Sequence, residues 1–211
     1  MTHDEIIKAL FDETMIGNAP AVLELTNKAL AEGMGPDTIL FEALIPSLEE
    51  VGARFERGDY FVPEMLIAGK AMSGALNVLR PLLAETGAET VGTFLMGTVK
   101  GDVHDIGKNL VNIMLEGAGF KVIDIGVQVA PEKFIAAINE HQPDILGMSA
   151  FLTTTMPMFK VNIHEITKAG LRDKVIIMVG GAPVTQEYAD AVGADGFAAD
   201  ASTAVRVAKD L

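Results

Sequence analysis

From Val91 onward, short apolar runs alternate with amphipathic segments, and this alternation restricts the possible folds more than any other feature of the sequence. The runs typical of strands are Thr93–Val99, Lys121–Ile125, Ile145–Ser149, Val175–Val179 and Gly196–Ala198. Helical patterns follow them near Ile106–Glu116, Glu132–Asn139, Met156–Lys168, Gln186–Ala191 and Thr203–Lys209. Such alternation implies right-handed crossovers and a parallel sheet covered by helices on both faces. We therefore predict an α/β domain of the flavodoxin-like (Rossmann-like) type, with five parallel strands in a doubly wound sheet.

The first part of the chain, residues 1–88, shows helical rather than strand periodicity. Helices are predicted from Ile6 to Ile16, from the Asn18–Pro20 region, from Pro36 and from Pro63, which together make a four-helix bundle. Pro46 lies inside the third segment and is expected to kink it. We expect domains at 1–88 and 89–211, with a linker near Gly87.

Composition excludes several classes of function. The chain has 211 residues, a net charge of −13 and no cysteine. The negative charge opposes binding to nucleic acid and to anionic membranes, so we expect neither as a partner. Without cysteine there is no disulfide scaffold, thiolate zinc site or iron–sulfur cluster. The N-terminus has no secretory pattern, and no apolar run is long enough to span a bilayer, which predicts a cytoplasmic protein.

Three segments follow strands at the edge of the sheet where ligands bind in doubly wound folds. The first runs from Gly101 to Lys108, the second from Ser149 to Thr155, and the third from Gly180 to Pro183. In a strand order of 2-1-3-4-5, strands one, three and four are neighbours. The three segments are therefore expected to converge on one site.

The first segment permits more than one interpretation. It resembles a phosphate-binding loop, but five residues separate Gly101 from Gly107 where four are required, and Asn109 replaces the hydroxyl that binds magnesium. His104 with Asp102 is more informative, because a metal-binding His usually donates its second ring N–H to a carboxylate. The alternative is an ordinary surface His with an Asp nearby.

Together the three segments are similar to the cobalamin-binding signature DxHxxG–x(41)–SxL–x(26–28)–GG. Asp102 to Gly107 fits the first element, 41 residues (108–148) follow, and Ser149 begins the second element. The glycine pair Gly180-Gly181 comes 28 residues after position 151. The one departure is Phe151, which stands where the signature has Leu and which we expect to affect only packing around the nucleotide tail of the cofactor.

The resemblance extends over nearly the whole chain. The segment VGARFERGDYFVPE, from Val51 to Glu64, resembles part of the helical cap that precedes the cobalamin domain in methionine synthase. A protein with only these two modules resembles the corrinoid proteins of anaerobic methyltransferase systems. The implied cofactor is cobalamin or a related corrinoid, with its own base displaced from cobalt and a His in its place.

The resemblance also implies individual roles. His104 would be the cobalt ligand, Asp102 would accept from its second nitrogen, and the Thr155 hydroxyl would complete the relay. Gly180 and Gly181 would lie against the displaced base, and Phe55 and Val62 of the cap would shield the upper face of cobalt. The remaining cofactor contacts would be Val103, Asp105, Ile106, Gly107, Ser149, Leu152 and Thr153.

The function implied is that of a methyl carrier rather than an enzyme acting alone. Its partners would be a substrate-specific methyltransferase for methanol, methylamines, aryl methyl ethers or betaines, and a second methyltransferase acting on tetrahydrofolate or a thiol. A reductive activase is a further expected partner. The alternatives are a cobalamin-dependent sensor or regulatory module, and a nucleotide- or flavin-binding protein without cobalt.

Overall fold

The computed structural model describes residues 1–86 and 90–211. Contacts between Cα atoms divide the chain into two compact units, Met1–Thr90 with Glu116–Gly119, and Val91–Leu115 with Phe120–Leu211. The expected linker at Gly87 and the expected boundary between residues 88 and 89 lie outside the described residues. The two units are described separately below.

The first unit contains four helical segments, as the sequence predicts. They are α1 (His3–Met15), α2 (Ala19–Ala31), a third segment formed by α3 (Pro36–Ile39), a π-helical turn (Leu40–Leu44) and α4 (Ile45–Glu56), and then α5 (Val62–Thr86). A capping box starts α1, in which the Thr2 hydroxyl accepts from the Glu5 N–H and the Glu5 carboxylate accepts from the Thr2 N–H. The buried core is aliphatic and includes Ile6, Leu10, Val22, Leu44, Leu48, Met65, Met72 and Leu79.

Pro46 produces the irregularity expected in the third segment, but as a wide turn. Proline lacks an N–H, and its ring collides with the carbonyl four residues earlier in a regular helix. The chain widens just before it, so that the Ile45 N–H donates to the Leu40 carbonyl five residues back. The segment therefore continues as α4 instead of ending at the proline.

The second unit contains a five-stranded parallel sheet with the order β2-β1-β3-β4-β5, which confirms the predicted topology. Its strands are β1 (Thr93–Thr98), β2 (Lys121–Asp124), β3 (Ile145–Ser149), β4 (Ile176–Gly180) and β5 (Gly196–Ala198). Its helices are α6 (Ile106–Gly117), α7 (Pro131–His141), α8 (Pro157–Lys168), α9 (Gln186–Val192) and α10 (Ala201–Asp210). A short 3-10 turn, Arg172–Lys174, precedes β4.

Alternate strand residues pack on opposite faces of the sheet. Leu95, Leu146 and Ile177 share one core with Phe134 of α7 and Phe159 of α8. On the other face, a β-carbon added at Gly196 would meet both Met178 of β4 and Val207 of α10. This arrangement gives the predicted helical layers on both faces.

Three strands differ from the prediction by one residue. β2 ends at Asp124 instead of Ile125. β1 ends at Thr98, and Val99 forms an isolated parallel bridge with Val129 instead. β4 runs one residue later than predicted, so Gly180 is its last residue and pairs with both Ser149 and Ala198. Gly180 therefore belongs to the sheet and not to the loop beyond it.

Candidate functional site

The site is built around the carboxylate of Asp102, which is fully buried although its loop follows the end of β1. Asp102 Oδ1 accepts from the His104 N–H at 3.0 Å and lies 2.7 Å from His104 Nδ1. Asp102 Oδ2 accepts from the Phe151 N–H at 2.8 Å and the Leu152 N–H at 3.1 Å. The Thr155 hydroxyl lies 2.6 Å from the same oxygen. The first two predicted segments are thus held together by one side chain.

These contacts keep the carboxylate ionised. Burial by itself would raise the pKa of Asp102, since a charge is costly to desolvate. The hydrogen bonds from Thr155 and from the backbone N–H groups of His104 and Phe151 oppose this and hold the pKa of Asp102 well below its usual range. An ionised carboxylate can only accept hydrogen bonds, so Nδ1 of His104 carries the proton in this pair.

In the neutral tautomer that carries its proton on Nδ1, His104 Nε2 is the acceptor nitrogen, and this is the form that binds metals. The His104 side chain is 44 % exposed. Among the described residues, no group of three or more His, Cys, Asp or Glu side chains is placed to hold a metal ion together. The site can therefore supply one nitrogen ligand to a metal that brings its other ligands with it.

The third segment approaches the second through backbone atoms. Gly181 adopts a φ of +132°, and a β-carbon at this position would lie 1.9 Å from the Ala150 carbonyl oxygen. Gly180 is less confined, since its β-carbon would make a tight contact of 3.1 Å with the Ala198 carbonyl oxygen. Glycine is therefore required at position 181, where the ends of β3 and β4 come this close together.

The other predicted site residues differ in their exposure. Val103, Asp105, Ile106 and Gly107 are exposed on the first loop and the start of α6, and Leu152 and Thr153 are exposed on the second loop. Ser149 is half-buried, and its hydroxyl lies 2.9 Å from the hydroxyl of Thr98. In the first unit, Phe55 is half-buried on α4 and Val62 is exposed at the start of α5. The residue roles themselves remain predictions.

Four features of the site were not predicted from the sequence. The Thr98 hydroxyl donates to the His104 carbonyl at 3.1 Å and so holds the loop to β1. The ring of Phe151 stacks on the His104 imidazole, whereas the sequence suggested packing around the cofactor tail. Helix α8 begins without a side-chain cap, since its N-cap residue is Met156 and the nearby Thr155 hydroxyl donates to Asp102 instead.

The fourth unpredicted feature is the pairing of Lys108. Its ammonium group is buried and forms an ion pair with Asp124 at the end of β2, and it donates to Asn109 Oδ1 at 2.8 Å. Asp124 also accepts from the Asn112 side chain at 3.0 Å and from the Gly126 N–H at 2.8 Å. Lys108 is thus engaged inside the domain and does not face the ligand edge as a phosphate-loop lysine would.

Comparison with known proteins assigns the family. A family described as a B12 binding domain matches residues 92–208, and a second B12 binding domain family matches residues 6–80. The chain is 42 % identical over 212 residues to a dimethylamine corrinoid protein of Methanosarcina barkeri, covering 100 % of the chain and 99 % of that protein. The chain belongs to the B12-binding corrinoid proteins.

Solved structures of two corrinoid systems have the same fold. The methanol:cobalamin methyltransferase complex of Methanosarcina barkeri matches with a TM-score of 0.86 and 28 % identity, over 98 % of this chain and 79 % of that one. The monomethylamine corrinoid protein of Methanosarcina barkeri matches with a TM-score of 0.56 and 35 % identity, over 99 % of both chains. The cofactor of the present protein is accordingly a corrinoid.

The geometry of this corrinoid protein fits such a cofactor. The one imidazole presented by the Asp102–His104 pair suits a cobalt ion that a macrocycle already holds. A β-carbon at Gly107 would meet no atom within 4 Å, so the space beside the start of α6 is open. Exposed apolar side chains next to His104 offer a surface for a large flat ligand, and they are Val103, Ile106, Phe151 and Leu152.

No helix among the described residues combines the length and the apolar character needed to cross a bilayer.

Proposed function

We propose that this corrinoid protein carries a methyl group between two methyltransferases, with His104 Nε2 as the protein ligand of cobalt. The observation that carries the proposal is the His104 ring, whose Nδ1 is held 2.7 Å from a fully buried carboxylate while the side chain is 44 % exposed. When bound, the corrinoid supplies a cobalt centre that can accept and release a methyl group.

The protein's own contribution is to hold the His104 imidazole in place and to keep a proton on its Nδ1. Asp102 keeps the proton on Nδ1 and leaves Nε2 free to act as a ligand. The Thr155 hydroxyl and the backbone N–H groups of His104 and Phe151 keep Asp102 charged, so the pair is already arranged before a ligand binds. When the ligand bond is released, the Asp102–His104 pair is the group that can take up a proton. Ligation and protonation are therefore linked at this pair.

The remaining predicted residues would hold the cofactor's periphery. We assign Ser149 and Thr153 to its polar groups, and Gly180 and Gly181 to the displaced base, because glycines leave the backbone uncovered there. Val103, Ile106 and Leu152 would contact the ring through their exposed apolar side chains, beside Asp105 and Gly107. Phe55 and Val62 are proposed to shield the upper face of cobalt, on the strength of the family resemblance.

We further propose that the methyl donors are methylamines. This rests on the names of the relatives, one a dimethylamine and one a monomethylamine corrinoid protein. The partners would then be a methylamine-specific methyltransferase, a second methyltransferase that passes the group to tetrahydrofolate or a thiol, and a reductive activase. We propose the cytoplasm as the location.

Cobalt ligation is tested by absorption spectroscopy. The full chain, refolded with hydroxocobalamin under anaerobic conditions, is compared with His104→Ala and with His164→Ala, which changes an exposed His on α8. We expect stoichiometric corrinoid in all three and a shifted spectrum only in His104→Ala. Failure of the wild type to retain corrinoid would overturn the proposal, and an unchanged spectrum in His104→Ala would remove His104 from cobalt.

Donor class is tested by methyl transfer. The reduced, corrinoid-loaded protein is incubated with methyltransferases specific for mono-, di- and trimethylamine and for methanol, each with its labelled substrate. We expect label on the protein with one of the methylamine enzymes. Label with the methanol enzyme alone would contradict the proposed donor but keep the carrier function.

A further inference from the structure

Two exposed rings face each other at the centre of the site. The Phe151 ring and the His104 imidazole have their centroids 4.4 Å apart and their planes at 29°. Phe151 is 51 % exposed, so its ring is not part of the domain core. Aromatic rings stack in this offset, near-parallel manner, and the contact adds to what area burial alone provides. Core packing therefore does not account for the stack.

The same residue also reaches His104 by a second route. The Phe151 N–H donates to Asp102 Oδ2 at 2.8 Å, and Asp102 Oδ1 lies 2.7 Å from His104 Nδ1. The Phe151 N–H, the Asp102 carboxylate, the His104 imidazole and the Phe151 ring are thus joined in one closed series of contacts. A hydrogen bond at Nδ1 fixes one point of the imidazole but leaves the ring free to rotate about that point. A flat ring against its face restricts that rotation.

We propose that Phe151 is a positioning residue, whose ring fixes the plane of the His104 imidazole and hence the direction of Nε2. The inference rests on the proposed function, in which Nε2 is the cobalt ligand. The cobalamin-binding signature has Leu where this chain has Phe151. An aliphatic side chain can fill the same volume, but it has no flat face with which to set the plane of its neighbour.

Preorganisation predicts a measurable gain in affinity. A ligand group that is already oriented loses less freedom when it binds. The energy typical of an aromatic pair corresponds to a change of roughly threefold to tenfold in a binding constant. Phe151→Leu should weaken hydroxocobalamin binding by about this factor, and Phe151→Tyr, which keeps the ring, should restore it. Because Phe151 is half exposed, neither change should alter the melting temperature substantially.

The first test uses the protein without cofactor. In protein labelled at histidine, the ring protons of His104 should show an upfield ring-current shift and cross-relaxation with the Phe151 ring in the wild type and in Phe151→Tyr. Both signals should disappear in Phe151→Leu. His104 shifts that are the same in all three proteins would overturn the inference.

The second test uses loaded protein reduced to cobalt(II). In electron paramagnetic resonance, a histidine nitrogen on cobalt gives a triplet splitting, which becomes a doublet when the histidines carry ¹⁵N. We expect all of the cobalt to show the doublet in the wild type and in Phe151→Tyr. In Phe151→Leu, we expect a fraction of the cobalt to lack it. If all of the cobalt in Phe151→Leu showed the doublet and the affinity were unchanged, the role of Phe151 would be overturned, whereas ligation by His104 would stand. Absence of the doublet in the wild type would overturn His104 ligation, and this role of Phe151 with it.

Discussion

Lys108 and Asp124 form an ion pair in which the lysine side chain is 2 % exposed and the aspartate side chain 35 % exposed. Lys108 lies in the first turn of α6, directly after the loop that holds His104, and Asp124 ends β2 at the sheet edge. The pair therefore ties the start of this helix to the outer strand. Removing one partner leaves a charge without its counterion in a largely buried place.

Lys108→Met should lower the free energy of unfolding by about 2 kcal/mol, somewhat less than for a fully buried pair because Asp124 is partly exposed. Asp124→Asn should lower the free energy of unfolding by a similar amount, since it leaves the buried ammonium group of Lys108 without its counterion. The double variant Lys108→Met/Asp124→Asn should recover part of the loss, and urea denaturation of all four proteins gives the coupling energy. Additive losses would show that the pair contributes nothing as a unit.

The low pKa of Asp102 predicts how acid affects stability. The folded state binds a proton at Asp102 less readily than the unfolded chain, whose carboxyl has a pKa of about 4. The stabilisation is therefore complete above about pH 5 and is lost as the pH falls below about 4.

Asp102→Asn removes this contribution and places an amide group opposite N–H donors. We expect it to lower the free energy of unfolding at pH 7 by about 2 kcal/mol or more, and to flatten the fall in stability between pH 5 and pH 3. Urea titrations at several pH values measure both effects, with Asp105→Asn on the exposed side of the same loop as the control. Parallel pH curves for wild type and Asp102→Asn would contradict the assignment.

Gly181 and Gly193 form a matched pair for testing the close approach of β3 and β4. Both have positive φ, +132° and +82°, but a β-carbon at Gly193 would meet no atom within 4 Å. Gly193→Ala should therefore cost only backbone strain of about 1 kcal/mol. Gly181→Ala adds the collision with the Ala150 carbonyl and should cost several times more, with loss of corrinoid retention. Equal melting temperatures for the two variants would refute the packing argument.

A substitution at Gly107 can separate an effect on the stability of the protein from an effect on cofactor binding. Its β-carbon would enter open space near the start of α6, and alanine favours helix more than glycine does. Gly107→Ala should leave the free energy of unfolding unchanged or raise it by about 0.5 kcal/mol. It should nevertheless weaken hydroxocobalamin binding, as measured by titration followed by absorbance. Unimpaired binding would remove Gly107 from the cofactor surface.

The strand order was predictable because it depends on features that the sequence displays directly. Each buried parallel strand is a short apolar run, and the glycines and polar residues after β1, β3 and β4 mark the ligand edge. Convergence of the segments around Asp102 and Gly181 followed from that order alone. These are consequences of topology, and topology is encoded in the periodicity of the chain.

The contacts of Phe151 and Lys108 could not be predicted in the same way. Phe151 meets His104 across 47 positions of chain (151 − 104), and Lys108 meets Asp124 across 16. Which side chains meet depends on the register of β1 against β3 and on the angle at which α6 leaves its loop. Neither quantity has a signature in the order of the residues. The irregularity at Pro46 could be predicted in part, since a proline indicates an irregular helical turn but not how wide the turn is.

A site with a single imidazole cannot by itself choose a metal. Selectivity between cobalt, nickel, copper and zinc ions requires several ligands in a defined geometry, because intrinsic affinities follow a fixed order that does not favour cobalt. Among the described residues, no cluster of ligand side chains provides that geometry. With His104 as the one protein ligand, as proposed, the metal must arrive already held by its macrocycle, and its selection must precede binding to this protein.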